Sequence, residues 1–244
     1  MPTLSSVTRR FTLPSDTHSN STSVQQENKK LLFYFVLFSL ICTFAGMNEA
    51  KWHENVILAD ADYIDKVAFN LTVNFERMLN RRIPKADMAR WADCVALDGG
   101  LREGDNVTQV LLIHSKEKLQ MDNFEPSDFA SELTNKAFKD HLGEFIFDAY
   151  RTEEDLVAHG DFFIDALRLI AEQKEVKRIM VIPNAEDEYI YNKVRNTLKS
   201  VDDEKRITLF AMQPLTGGNF RQEILGYSVM AALGIKGEEI GKCR

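Results

Sequence analysis

Hydrophobic and polar positions change period several times along this chain, and each change marks an element. Val56 to Asp60 is a short apolar run closed by an acid, the profile of a strand buried on both faces. Ile64, Val67, Ala68, Leu71, Phe75, Met78 and Leu79 then recur at steps of three and four, which predicts one face of a long helix. Arg77, Arg81 and Arg82 suit its negative pole. After Pro84, a second helix is read from Met88, Trp91, Ala92, Val95 and Ala96, stopping at Gly99-Gly100.

Val107 to His114 is the next predicted strand, and Pro126 to Phe138 reads as a helix opened by Ser127 or Asp128. Gly143 to Tyr150 alternates and is expected at a sheet edge. Asp161 is placed as the cap of a helix through Phe162 to Ala171. Val176 to Ile182 predicts another buried strand, and Ile190, Val194 and Leu198 mark the helix after it. Arg206 to Met212 and Phe220 to Leu233 complete the series as the last strand and last helix. Strands alternating with helices require crossover connections. The expected fold is therefore α/β, a three-layer Rossmann-like sandwich with a mostly parallel sheet of about five strands.

Composition divides the chain near residue 47. Residues 1–30 are rich in Ser, Thr, Asn and Gln and are expected to be disordered, while 47–244 should form a single α/β domain. Between them, 31–46 is an uncharged, Phe-rich run of 16 residues. It is short for a membrane span and lies far from the terminus for a signal peptide, and Met47 offers an alternative start. A cytoplasmic protein follows if translation begins at Met47, and a membrane-anchored one if 31–46 is retained. Should the anchor be real, residues 1–30 face the cytosol.

Charge narrows the partners. The first 46 residues hold four basic and two acidic side chains, which leaves 26 basic against 35 acidic in the body. Broad attraction to nucleic acid is not expected from such a surface. Three scattered cysteines form neither a disulfide framework nor a zinc quartet, which favours a reducing compartment.

The candidate chemistry is acidic. Asp60, Asp62 and Asp65 cluster where the first strand hands over to its helix, and Glu186, Asp187 and Glu188 follow the Val176–Ile182 strand in the same way. In a parallel sheet these are carboxyl ends, where ligands bind at a reversal of strand order. Asp60, Asp62, Glu186 and Asp187 could together hold Mg²⁺, with Asp60 and Asp62 as the catalytic pair. The competing reading is that acids at helix starts cap free N–H groups. Capping accounts least well for Asp60, which still belongs to the strand. Thr216, Gly217, Gly218 and Arg221 are a further candidate, an anion cradle at the start of the last helix. Of the histidines, His114 could face the crevice, although a surface position is the plainer expectation.

The strand-plus-acid pattern at Val56–Asp60 and again at Ile179–Asp187 resembles the PIN-like nuclease superfamily, especially its NYN branch. That resemblance implies a parallel sheet and a metal-dependent ribonuclease, with Asp60 as first-strand metal ligand and Glu186 or Asp187 as the later acid. Those families end the later strand in a Ser/Gly-Asp-x-Asp run, where this chain has Ile182-Pro183-Asn184-Ala185-Glu186-Asp187. Asp60-Ala61-Asp62 with Ser115 also resembles the haloacid dehalogenase-like phosphatase pattern, but the helical stretch from Ile64 leaves no room for that family's flap. The Asn55–Tyr63 opening and the Glu223–Ser228 segment are similar to an uncharacterised family of short bacterial proteins. Two functions follow. One is a non-catalytic or degenerate PIN/NYN-like binding module, able to self-associate through a helical face. The alternative is a Mg²⁺-dependent nuclease or phosphohydrolase.

Overall fold

A computed structural model describes residues 52–152, 158–202 and 204–241. The expectations for 1–30 and 31–46 lie outside these residues. No described helix is long and apolar enough to cross a membrane.

The chain opens with β1 (Asn55–Asp60), every residue of which is buried, and passes directly into α1 (Ala61–Leu79). The predicted periodicity holds at the start of α1, where Ile64, Val67 and Ala68 are buried. Two-residue β2 (Ala86–Asp87) leads into α2 (Met88–Asp98), whose Trp91 meets Phe124 edge-on at 6.1 Å between ring centres. Trp91 is fully buried. Truncating such a side chain to Ala costs about 3 to 5 kcal/mol. Then follow β3 (Asn106–His114), β4 (Phe124–Glu125), a single π-type turn (Phe129–Leu133), β5 (Lys136–Asp140) and β6 (Gly143–Arg151). The remaining elements are α3 (His159–Glu172), β7 (Arg178–Ile182), α4 (Glu188–Leu198), β8 (Arg206–Ala211), β9 (Arg221–Ile224), α5 (Leu225–Ala232) and α6 (Gly237–Gly241).

One sheet takes up seven of the strands, in the order β5-β6-β3-β1-β7-β8-β9, larger than the five strands expected. All neighbours are parallel except β5 against β6. Counting only the parallel strands in chain order, the spatial sequence is three, two, one, four, five, six. The chain leaves β1 toward β3 and β6, then returns to lay β7 on the other side of β1. The reversal therefore falls between β1 and β7. β2 and β4 form a separate parallel pair.

Both faces of the sheet are buried. Ile57, Ala59, Val110, Leu112, Met180, Ile182 and Phe210 join a single core with buried residues of α1, α2 and α5. Residues of the opposite parity, among them Val56, Leu58, Leu111, Ile113, Val181 and Leu209, are equally buried. Phe163, Leu167, Val194 and Leu198 of α3 and α4 are buried apart from that first core. At Gly143 a close approach excludes any side chain. Its φ is +126°, and an added Cβ would stand 2.1 Å from the Asn106 carbonyl oxygen.

Four expectations are corrected. The helix over Pro126–Phe138 shrinks to one turn. Its start signal is real, since Asp128 accepts from Ala130 and Ser131 N–H while Glu132 accepts from Ser127 and Asp128 N–H. But Asn135 sits at φ +58°, and Lys136–Asp140 continues as a strand pairing with β6. That pairing removes β6 from the edge, the second correction. Third, Asp161 is not the cap of α3. Ala158 holds that position without a side-chain bond, and Asp161 Oδ1 instead accepts from Tyr189 Oη at 3.1 Å. Fourth, Phe220–Leu233 is not one helix, because Arg221–Ile224 pairs with β8 before α5 begins.

Candidate functional site

The acids of β1 reach the carboxyl edge of the sheet next to the strand-order reversal, but each is engaged differently. Asp60, only 5% exposed, is the N-cap of α1: its Oδ1 accepts from Tyr63 N–H at 3.0 Å. The expectation that capping accounts least for Asp60 is thus reversed. The same oxygen lies 3.2 Å from His159 Nε2 at the start of α3. His159 Nδ1 in turn stands 3.3 Å from Thr152 Oγ1. Thr152 is buried and fixed by bonds from its N–H and hydroxyl to the His114 carbonyl. A line of contacts from Asp60 through His159 to Thr152 therefore joins the ends of β1 and β6.

Asp65 is consumed structurally. At 2% exposure it accepts from the N–H groups of Asp122 and Asn123, from the Asn123 amide and from Lys118 Nζ at 3.0 Å. It anchors the loop between β3 and β4. Asp62 shares that duty in part, its Oδ2 accepting from Ser115 N–H at 3.1 Å just after β3. Its Oδ1 is buried and has no hydrogen-bond partner.

Glu186 arrives from the β7 side, as the adjacency of β1 and β7 requires, and pairs with Lys66 at 3.2 Å. Both partners are about half exposed, so the pair adds little stability. The phenol of Tyr63 feels the charge of both acidic groups. Burial, followed by the charges of Glu186 and Asp60, holds it protonated far above its ordinary range. Its Oη is buried without a partner, as is Oδ1 of Asn184 after β7. Asp187 takes the plain role of cap, accepting from Tyr189 and Ile190 N–H at the start of α4.

His114 is buried rather than on the surface. Its ring stacks on Phe129 with centres 3.9 Å apart, and its Nδ1 lies 2.9 Å from the Ser115 carbonyl oxygen. Burial pushes its pKa down, against the opposing pull of the Ser115 carbonyl and Asp62.

The glycine loop reads differently from expectation. Thr216, Gly217, Gly218 and Arg221 lead into β9, so the helix N-terminus that would attract an anion is not there. The Thr216 and Gly217 carbonyls accept from Tyr191 Oη at 2.9 and 3.1 Å, and Arg221 pairs with Glu223 at 2.5 Å. Tyr191 thus ties the loop down through its carbonyls.

No three of Asp60, Asp62, Glu186 and Asp187 bring carboxylate oxygens within 4.8 Å of one another among the described residues. Among the described residues, the single group of three His, Cys, Asp or Glu side chains offering ligand atoms within 4.8 Å of one another is Asp93, Asp140 and His141. It joins α2 to the β5–β6 turn, away from the reversal. There burial, followed by a hydrogen bond that protonated Asp93 shares with the Asp140 carboxylate and by that carboxylate's charge, pushes Asp93 up to about 6.

Sequence reasoning missed Tyr63, Thr152, Asn184 and His159 as members of this edge. Tyr63 and Asn184 sit beside singled-out acids, so their place on a strand-to-helix junction was readable. His159 lies 99 positions from Asp60, and only the sheet order brings them together.

The class these features define is an α/β protein with a polar site at the carboxyl edge of a mostly parallel sheet. The chain belongs to a family of unknown function (DUF6621), whose model matches residues 49–240. No curated protein and no solved structure matches.

Proposed function

We propose that this domain is a non-catalytic binding module, a degenerate relative of the PIN/NYN arrangement with Rossmann-like layering, that takes a polar ligand between the ends of β1 and β7. One observation carries the reading: Asp62 Oδ1, Tyr63 Oη and Asn184 Oδ1 are buried without partners on segments leaving the carboxyl ends of those two strands. Buried polar atoms are almost always hydrogen-bonded, so unsatisfied ones clustered on one sheet edge mark a place for ligand or water. Two of the three accept only, which calls for a ligand that donates. Hydroxyl or amino groups fit, as on the sugar of a nucleoside, since strand-end acids are suited to ribose hydroxyls. A phosphate at this helix start is disfavoured, because Asp60 already caps it and Asp62 adds negative charge.

The layering is supported by burial on both sheet faces and by the strand order three, two, one, four, five, six. Calorimetry on the intact protein tests the function. Nucleosides are expected to bind, with Asp62→Asn weakening them about tenfold, and Mg²⁺ and Mn²⁺ are expected to give no heat. Micromolar Mn²⁺ binding that Asp60→Asn abolishes would replace this reading with the Mg²⁺-dependent nuclease or phosphohydrolase. What favours that second reading is the position of Tyr63, whose phenol feels Glu186 and Asp60 together.

A further inference from the structure

The opposite, amino-terminal edge of the sheet carries the reverse charge. Arg178, Arg206 and Arg221 are the first residues of β7, β8 and β9, and Arg102 lies in the loop before β3. Parallel pairing sets Arg178 directly beside Arg206, a juxtaposition of like charges that costs stability unless something negative lies between them. Arg178 and Arg221 also meet over Gly100, where an added Cβ would stand 3.0 Å from one guanidinium and 3.6 Å from the other.

These cations are unequally compensated. Arg221 is neutralised by Glu223, and Lys177 pairs with Glu54. Arg178 donates to the Gly99 carbonyl at 2.5 Å, where it meets the negative pole of α2, but its Nε is buried without a partner. Arg102 donates only to the Leu101 carbonyl next to it in the chain, and no acidic partner stands within ion-pair distance of Arg206 among the described residues. Glu103 and Glu204 line the same hollow, yet neither forms an ion pair with these arginines. Burial, then the charges of Arg206, Arg102 and Arg221, hold the Arg178 guanidinium below its ordinary pKa. In a chain of net charge −7, such a gathering of arginines is not a general property of the surface.

A cavity of about 490 Å³ opens among them, where Arg102, Lys177, Arg178 and Arg206 stand against the carboxylates of Glu54, Glu103 and Glu204. That volume lies within the range of small-molecule sites and exceeds what a lone phosphate fills. Guanidinium forks match phosphate oxygens in pairs. We propose that this hollow is an anion site for a small phosphate-bearing molecule, held by Arg102, Arg178 and Arg206 at the amino edge of β7 and β8. It is separate from the carboxyl-edge site and stands whether or not that reading does.

Thermal unfolding of the full chain with sodium pyrophosphate as the probe tests it. Pyrophosphate up to about 10 mM should raise the midpoint of the wild-type protein. In the Arg102→Ala/Arg206→Ala double variant the concentration needed should rise at least about tenfold, as expected for lost charge-assisted hydrogen bonds. Both substitutions are on exposed residues, and an unliganded midpoint near that of the wild type verifies that the variant folds. The proposal is overturned if pyrophosphate gives no shift. It also fails if the double variant keeps the full shift, or if sodium chloride of matched ionic strength shifts both proteins equally.

Discussion

The two ends of the sheet differ in what their charges do. At the carboxyl edge, acids close to the chain reversal are bound to the protein's own donors: Asp60 to a helix start, Asp65 to a loop, Asp62 to the residue after β3. At the amino edge, arginines crowd one another, and the nearby Glu103 and Glu204 form no ion pair with them among the described residues. A charge that holds a fold together is recognised by the backbone it satisfies. A charge positioned for something outside the fold has neighbours that do not satisfy it. By that criterion the sharpest acidic motif of the sequence is largely architectural, and the proposed function rests on the unpartnered oxygens of Asp62, Tyr63 and Asn184.

The comparison can be broken most decisively at Asp65. Its replacement by Ala leaves two part-buried N–H groups and the Lys118 ammonium, about one-third exposed, without the acceptor that the buried carboxylate supplies, so urea unfolding should show a loss of about 3 kcal/mol. A loss under about 1 kcal/mol would mean that the acid is not architectural. A smaller effect, about 1 to 2 kcal/mol by the same measurement, is expected for Asp60→Ala, which removes a cap and the contact with His159.

The Asp93–Asp140 pair makes a contrasting case, because its strain depends on pH. The folded pair keeps a proton on Asp93 up to about pH 6, whereas the unfolded carboxyl releases it near 3.8. The folded state therefore binds more protons in that window, and this contribution to stability falls as pH climbs from about 4 to 6. Melting curves of Asp93→Asn should lack that decline, so the variant gains on the wild type as pH rises. Smallest of all is Lys66→Ala. Its ion pair with Glu186 is half exposed, and chemical denaturation should register no more than about 0.5 kcal/mol. A larger loss would place Glu186 among the architectural acids.

Much of this arrangement was legible in the sequence because it is local. The apolar run of β1 and the three-and-four spacing of α1 each follow from neighbouring residues, and so does the cap signature at Asp128. What failed depended on distant partners. Lys136–Asp140 carries no strong strand signal and becomes a strand because β6 offers it a ladder. Arg221–Ile224 likewise takes its form from β8, which moved the glycine loop away from a helix start. The candidate acids were found by type, but their jobs were misassigned, since Asp65 meets its donors more than 50 residues downstream. The arginine hollow left no trace in sequence spacing, its arginines being scattered from 102 to 206.

The two outermost strands bear on how copies of the protein can meet. β5 is five residues long with Lys136 and Lys139 in it, and β9 is four residues long and opens with Arg221. Short strands bearing cations make poor templates for a neighbour's backbone, so continuous sheet growth from one molecule into the next is disfavoured at both margins. Self-association, where it occurs, is left to surfaces such as the outward side of α1, where Phe69 and Val73 stand exposed one turn apart.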